Sequence, residues 1–327
     1  MDSSHHNVLY ACFLKKLHKD EIKVAQLSGY CCEQTAYHHG EASLQSTIIK
    51  MSHNFIGSYN INLLQPIGQF GTRHSGGDDA ASPRYIFTNL DPICRLIFPE
   101  VDDQLLQRRE DDGFVVEPVF YIPVIPLLLL NGAQGIGSGW STSIPSFDVH
   151  DVIQAIRFKL AQKDTEPPPI RPFIRGFQGT IYPKDPKNIT RGYITQGVYK
   201  QHSPTNIEIT ELPVGKWTND YKTFLISLRD KGIIKSFVEN HTSNNINFSI
   251  TLPRNTKILQ KNAKEYYNKI FALRKPLSLT NMCAFYNINS DELKKYNTPH
   301  ETLDDFYPKR YELDQRCKEY LEKFICY

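Results

Sequence analysis

An arginine and a tyrosine, Arg84-Tyr85, close a run rich in Gly, Asn and Ser that extends from Asn60 to Ser82. A phenol, with an unperturbed pKa of about 10, suits reversible phosphodiester chemistry. Its phenolate attacks phosphorus, and the aryloxide leaves again when the displaced hydroxyl attacks back. The phosphotyrosine link stores the bond energy, so resealing needs no outside source. A neighbouring guanidinium neutralises charge that grows on the phosphate oxygens. On residue type alone both remain open. Any one of the 18 tyrosines is by default a core residue, and Arg84 is equally a surface or phosphate-positioning side chain.

Further candidates follow from spacing. Gly135-Ile136-Gly137-Ser138-Gly139 surrounds one bulky apolar residue with glycines. Such a residue either sits buried between turns or wedges between base steps and kinks a duplex. His38 and His39 stand where a helix opens, and helix N-termini attract phosphates. Adjacent histidines point apart and no third ligand is evident, so a metal site is disfavoured. Gln69 and Arg73 lie in the glycine-rich run, as solvated loop side chains or as contacts to a sugar–phosphate backbone. The chain has neither a G-x-S-x-G elbow nor a G-x-G-x-x-G after a strand, so hydrolase and dinucleotide folds are not supported.

These side chains need elements to hold them. Leu44, Ile48, Met51 and Phe55 recur on one helical face within a largely helical stretch, residues 8–55. Asn60 to Ser82 is expected as loop, Arg84 to Phe87 as a short strand-like run, and Asp91 to Phe98 as a short helix. Val119 to Leu130, holding Pro123 and Pro126, is expected as a buried extended segment. A helix follows from Asp151 to about Ala161, then a stiff Pro-rich linker, Thr165 to Pro172. Strands are expected at 177–182, 192–200, 206–212 and 245–252, helices at 219–230 and 263–273. A long helix is expected from Glu301 to the end.

Composition bounds the rest. The 327 residues are 40% hydrophobic and 22% charged, enough for about two domains. No run reaches the roughly 18 apolar residues of a membrane span. Seven cysteines without a C-x-x-C spacing argue against a disulfide framework or zinc site and suit a reducing compartment. The formal charge is +3, unevenly spread: residues 1–150 hold 10 basic and 16 acidic residues, residues 151–327 hold 28 and 19. The second half could lie along a polyanion or simply present a mixed, solvated surface.

The segment NLLQPIGQFGTRHSGGDDAASPRYIFT, Asn62 to Thr88, closely resembles the active-site segment of eukaryotic-type type IIA DNA topoisomerases. The similarity extends through KVAQLSGYCCEQTAYHHGEASL (Lys23–Leu44), VEPVFYIPVIPLLLLNGAQGIGSGWSTSIPSFD (Val116–Asp148) and IEITELPVGKWT (Ile207–Thr218) to nearly the whole chain. The resemblance implies an α+β fold. Residues 1–148 would be a winged-helix DNA-cleavage domain, 149–300 an α/β tower, and 301–327 the start of a coiled-coil arm. It implies Tyr85 as nucleophile with Arg84 beside it, and Ile136, His38, His39, Gln69 and Arg73 on DNA. It further implies a homodimer, a nuclear location, and Mg2+ and ATP held by TOPRIM and ATPase regions in cis or trans.

The sequence also departs from that pattern. No counterpart of the TOPRIM acidic cluster or of an ATP-binding loop is seen, and His5-His6-Asn7 stands where a basic stretch is expected. Asp78 stands where the family usually has Lys, which reverses a charge near the duplex and should weaken binding. The chain is therefore expected to be a breakage-reunion fragment without ATPase, TOPRIM or C-gate. A non-catalytic DNA-binding or decoy fragment of the same family is the alternative.

Overall fold

The computed structural model describes residues 3–137, 140–162, 165–242, 245–254, 263–285 and 292–325. Ser138 and Gly139 of the glycine-rich run, Cys326 and the last residue, Tyr327, lie outside the described residues. In chain order the elements are α1 (Ser3–Leu14), β1 (Ile22–Lys23), α2 (Val24–Gln34), α3 (Glu41–Ser52), β2 (Phe87–Thr88), α4 (Cys94–Ile97), β3 (Arg108–Asp111) and β4 (Phe114–Pro118). Next come α5 (Leu127–Asn131), β5 (Ala133–Gly137), β6 (Trp140–Ile144), α6 (Val149–Leu160), β7 (Thr180–Pro183), β8 (Tyr193–Gln196), β9 (Val198–Gln201) and β10 (Asn206–Glu211). The rest are α7 (Thr218–Asp230), β11 (Ser236–Glu239), β12 (Phe248–Thr251), α8 (Ala263–Ile270), β13 (Arg274–Leu277), β14 (Met282–Phe285), β15 (Leu293–Tyr296) and α9 (Pro299–Ile325). The fold class is α+β: helices are interspersed with strands whose pairings among the described residues are all antiparallel, so no parallel βαβ unit forms.

Two apolar clusters form the interior. The first is built on α1, α2 and α3, where Leu44, Ile48 and Met51 are all fully buried as their spacing demands. Phe55 lies past the end of α3 and turns its ring edge-on to Trp217. This cluster extends to Val152 and Ala155 of α6 and takes back Leu279, Met282, Tyr296 and Leu303 late in the chain. The second cluster combines Ile207 and Ile209 of β10, Phe248 and Ile250 of β12, Tyr221 and Leu225 of α7, and Tyr267 and Phe271 at α8. Its sheet runs β11-β12-β10-β9, antiparallel throughout, with Ile209 opposite Phe248 and Tyr199.

Two expectations change. The apolar run before Asn131 is not extended throughout, since Leu127–Asn131 is helical. Four leucines favour a helix, and Pro126 at its N-cap has no N–H to leave unpaired. Gly132 ends it at φ +67, where a Cβ would meet the Ile144 carbonyl oxygen at 2.4 Å. The Pro-rich stretch is not a free spacer either. Ile170 is buried, Pro172 bridges Phe147, and Arg171 forms a forked pair with Asp151 at 2.8 and 2.7 Å.

Candidate active site

The site begins with a short turn. Tyr85 N donates to Ser82 O at 2.9 Å, so residues 82–85 close on themselves. The N-terminus of α2 grips this turn from both sides. Ala25 N donates to Pro83 O and Val24 N donates to Ile86 O, each at 3.1 Å. These are helix N–H groups with no partner inside their own helix, so the turn satisfies them while they fix it. β1 pairs with β2 through Lys23 and Phe87, and Ile67 and Phe87 exchange two further backbone bonds at 3.0 and 2.9 Å. Ile86 is buried beneath, and its neighbours are therefore driven outward.

The Tyr85 side chain is consequently 73% exposed. The Arg84 guanidinium carbon stands 6.0 Å from the centre of its ring, and Arg84 is exposed as well. The pair presents a phenol and a fixed positive charge to solvent, on a backbone held by a helix end and two strands. A phosphodiester could approach both without displacing protein. The positive end of the α2 dipole lies behind them, where negative charge is favoured.

The preceding glycine-rich segment is compact rather than open. Asp79 accepts from Thr72 N at 2.8 Å and from the Thr72 hydroxyl at 2.6 Å. Burial pushes the Asp79 carboxyl up, but these bonds outweigh it and hold its pKa below the ordinary range. Gly71 and Gly77 touch so closely that a Cβ on Gly71 would lie 2.6 Å from the Gly77 Cα. Gln69 is exposed, with its amide nitrogen 3.4 Å from Asp79, and its backbone accepts from Ala81 N at 2.9 Å. Asp78 is exposed.

Arg73 corrects the sequence reading. Its loop setting places it on the solvent side against a phosphate, but it is 5% exposed. Its guanidinium is paired with Glu211, which is 1% exposed, and donates to Leu212 O at 3.2 Å. A buried carboxylate is an enforced partner, because either charge alone would be costly to desolvate. In this arrangement the guanidinium does not face a duplex.

The remaining candidates sit on separate elements. His38 and His39 precede α3 rather than opening it, since the helix starts at Glu41 with Gly40 as N-cap. His38 Nε2 lies 3.1 Å from Asp111 on the β3–β4 hairpin, while the His39 ring meets Tyr37 edge-on at 5.5 Å. Both remain exposed. Ile136 is 93% exposed near the end of the β5–β6 hairpin, opposite Ser141. β14 braces that hairpin from outside. Ser143 N donates to Asn281 O at 2.9 Å, and Thr142 Oγ1 donates to Cys283 O at 2.6 Å. A large apolar side chain almost wholly in water on a braced hairpin is a candidate wedge rather than a core residue. Among the described residues no set of three or more His, Cys, Asp or Glu side chains is placed to hold a metal ion.

Sequence reasoning did not find Glu211, Trp217 or the α2 N-terminus as parts of the site. One signal was available. In β10 the alternation puts Ile207, Ile209 and Glu211 on the inward face, and an inward acid calls for a cation or hydrogen-bond donors beside it.

Comparison with known proteins shows the family. The family model for DNA gyrase/topoisomerase IV A subunits matches residues 2–325. The mitochondrial DNA topoisomerase 2 of Dictyostelium discoideum is 46% identical over 319 residues, 97% of this chain and 24% of that protein. DNA topoisomerase 2-alpha of Gallus gallus is 43% identical over 320 residues, 96% of this chain and 20% of that protein. A crystal structure of the Plasmodium falciparum topoisomerase II DNA-binding, cleavage and re-ligation domain superposes with a TM-score of 0.90 at 41% identity, covering 97% of this chain and 42% of that one. The chain thus spans only about a fifth to a quarter of its curated relatives. With the family model spanning nearly every residue and the fold matching, the chain belongs to the DNA gyrase/topoisomerase IV A-subunit family.

Proposed function

We propose that this chain is the DNA breakage-reunion segment of a type II topoisomerase, with Tyr85 as the nucleophile. The phenolic oxygen attacks the phosphorus of a duplex strand and gives up its proton. The P–O3′ bond breaks, the 3′-oxygen takes up a proton, and a 5′-phosphotyrosine link remains. Attack by that 3′-hydroxyl reverses each change. Arg84 offsets the charge on the phosphate oxygens, and Ile136 enters a base step and bends the duplex. His38, His39 and Gln69 contact the sugar–phosphate chain. Residues 1–148 act as the winged-helix cleavage domain, 149–300 as the tower, and 301–327 as the start of an arm.

In the whole enzyme the reaction serves ATP-driven double-strand passage by a nuclear homodimer, with ATPase and TOPRIM regions supplied in cis or trans. Mg2+ and the nucleotide would be held by those regions. The supporting observation is the exposed Tyr85 ring on a backbone anchored by α2. Exposed Asp78 on the neighbouring loop favours a second reading, a module that binds DNA without cutting it. Supercoiled plasmid incubated with the chain, with and without an added TOPRIM/ATPase polypeptide and Mg2+, separates them. Protein-linked DNA that needs the partner and vanishes in Tyr85→Phe supports cleavage. Binding with no linked DNA under any condition supports the module.

A further inference from the structure

The buried charge pair that removes Arg73 from the surface has a second consequence. Arg73 sits in the glycine-rich segment, and Glu211 closes β10 in the second core. Glu211 is fully engaged: one carboxylate oxygen accepts from Arg73 and from Leu212 N at 2.8 Å, the other from Gln178 N at 3.1 Å. The loop backbone docks at the same place. Asn219 N donates to His74 O at 3.0 Å and Thr218 N to Arg73 O at 3.4 Å, so the first amides of α7 are satisfied by the loop. Asn219 Nδ2 donates to Ser75 Oγ at 2.8 Å. The Trp217 indole lies directly on Gly76.

From Arg73 the constraint passes to the nucleophile through short rungs. Thr72 is bonded to Asp79, Ala81 N to Gln69 O, and Tyr85 N to Ser82 O. We infer that Arg73 and Glu211 are positioning residues: their ion pair seats the nucleophile loop on the second core and so sets where the Tyr85 oxygen stands. The inference rests on Tyr85 being the nucleophile. Arg73 acts through the loop and makes no phosphate contact. A loop released by about 1 Å would slow phosphoryl transfer roughly 100-fold while leaving the duplex-binding surface in place.

Three measurements on Arg73→Gln and Glu211→Gln, with Arg73→Lys as the conservative variant, decide the matter. The first is the affinity of the chain for a labelled duplex across a salt series. The second is hydrogen exchange of the amides of residues 71–85. The third is the rate of adduct formation with the TOPRIM/ATPase polypeptide and Mg2+. The pair predicts an unchanged salt slope, faster exchange of loop amides in both Gln variants, and an adduct rate lowered about 100-fold with partial recovery in Arg73→Lys. A salt slope reduced by about one in Arg73→Gln, with the loop still protected, would identify a phosphate ligand and overturn the inference. Tighter duplex binding in Glu211→Gln, from a guanidinium set free, would overturn it too. If wild-type chain gives no Tyr85-dependent adduct, the functional reading fails separately, and exchange in the Gln variants still decides whether the pair holds the loop. Should Arg73→Gln not fold, Arg73→Lys and Glu211→Gln carry the same comparison.

Discussion

Substituting Gly76 with Ala isolates the seat on Trp217 of the glycine-rich loop that leads to Tyr85. Gly76 has φ +67, and a Cβ there would lie 2.4 Å from the indole Cε2 and Nε1. The left-handed backbone alone costs an alanine about 1–2 kcal/mol. Normal carbon contacts need about 3.5–4.0 Å, so the ring must retreat by more than 1 Å. Trp217 is also held against Phe55 and beneath Gly57, where a Cβ would already lie 3.3 Å from its ring, so it has little room to move. Such overpacking adds about 1–3 kcal/mol, giving a total near 2–5 kcal/mol. Gly113 supplies the control. It has φ +82 with nothing within 4 Å of a Cβ, so Gly113→Ala carries the backbone cost alone. Urea unfolding of wild type, Gly76→Ala, Gly113→Ala, Trp217→Ala and the Gly76→Ala/Trp217→Ala double variant gives the five stabilities needed. With the indole gone, Gly76→Ala should cost no more than Gly113→Ala, a coupling of about 1–3 kcal/mol. Equal costs for Gly76→Ala in both backgrounds would show that the loop does not rest on Trp217.

Other outcomes follow from single groups. Ile136→Ala should leave stability within about 0.5 kcal/mol, because the side chain is almost wholly in water, yet reduce duplex bending measured by end-to-end energy transfer; unchanged bending would remove it as a wedge. Asp79 has a folded pKa below its unfolded value, so its contribution is present above the unfolded pKa of about 3.9 and is lost as pH falls through the folded one. Asp79→Asn should therefore flatten the acid limb of the stability profile, and a limb identical to wild type would contradict the Thr72–Asp79 bonds. Burial pushes the Cys31 thiol up to about 12, so at neutral pH it should resist alkylation until unfolding; rapid native labelling at Cys31 would contradict its placement.

Much of this architecture is legible in the residues, and the exceptions have physical causes. Leu44, Ile48 and Met51 announce α3 because a 3.6 period of apolar side chains has few other uses. The run ending at Tyr85 reads as loop because its glycines are needed for left-handed backbone and close approach, as Gly71 against Gly77 shows. The helix Leu127–Asn131 is hidden by two prolines, whose position before the helix rather than inside it is not fixed by composition. The strand Arg108–Asp111 is exposed and charged, so no buried alternation marks it. Tyr85, Arg84, Ile136, His38, His39 and Gln69 are all expected at the surface, and all are exposed there. Arg73 is the instructive failure. A cation in a glycine-rich loop looks solvated until its partner is found 138 residues away, and only the inward phase of Glu211 in β10 hints at the pair.

Whether Tyr85 becomes covalently joined to DNA is settled by peptide mapping. Duplex incubated with the chain, an added TOPRIM/ATPase polypeptide and Mg2+ is quenched in denaturant, digested with protease and nuclease, and read by mass spectrometry. A nucleotide attached through its 5′-phosphate to the peptide holding Arg84-Tyr85, and absent from Tyr85→Phe, is the expected finding. A modification on any other tyrosine, or an adduct that persists in Tyr85→Phe, would contradict it.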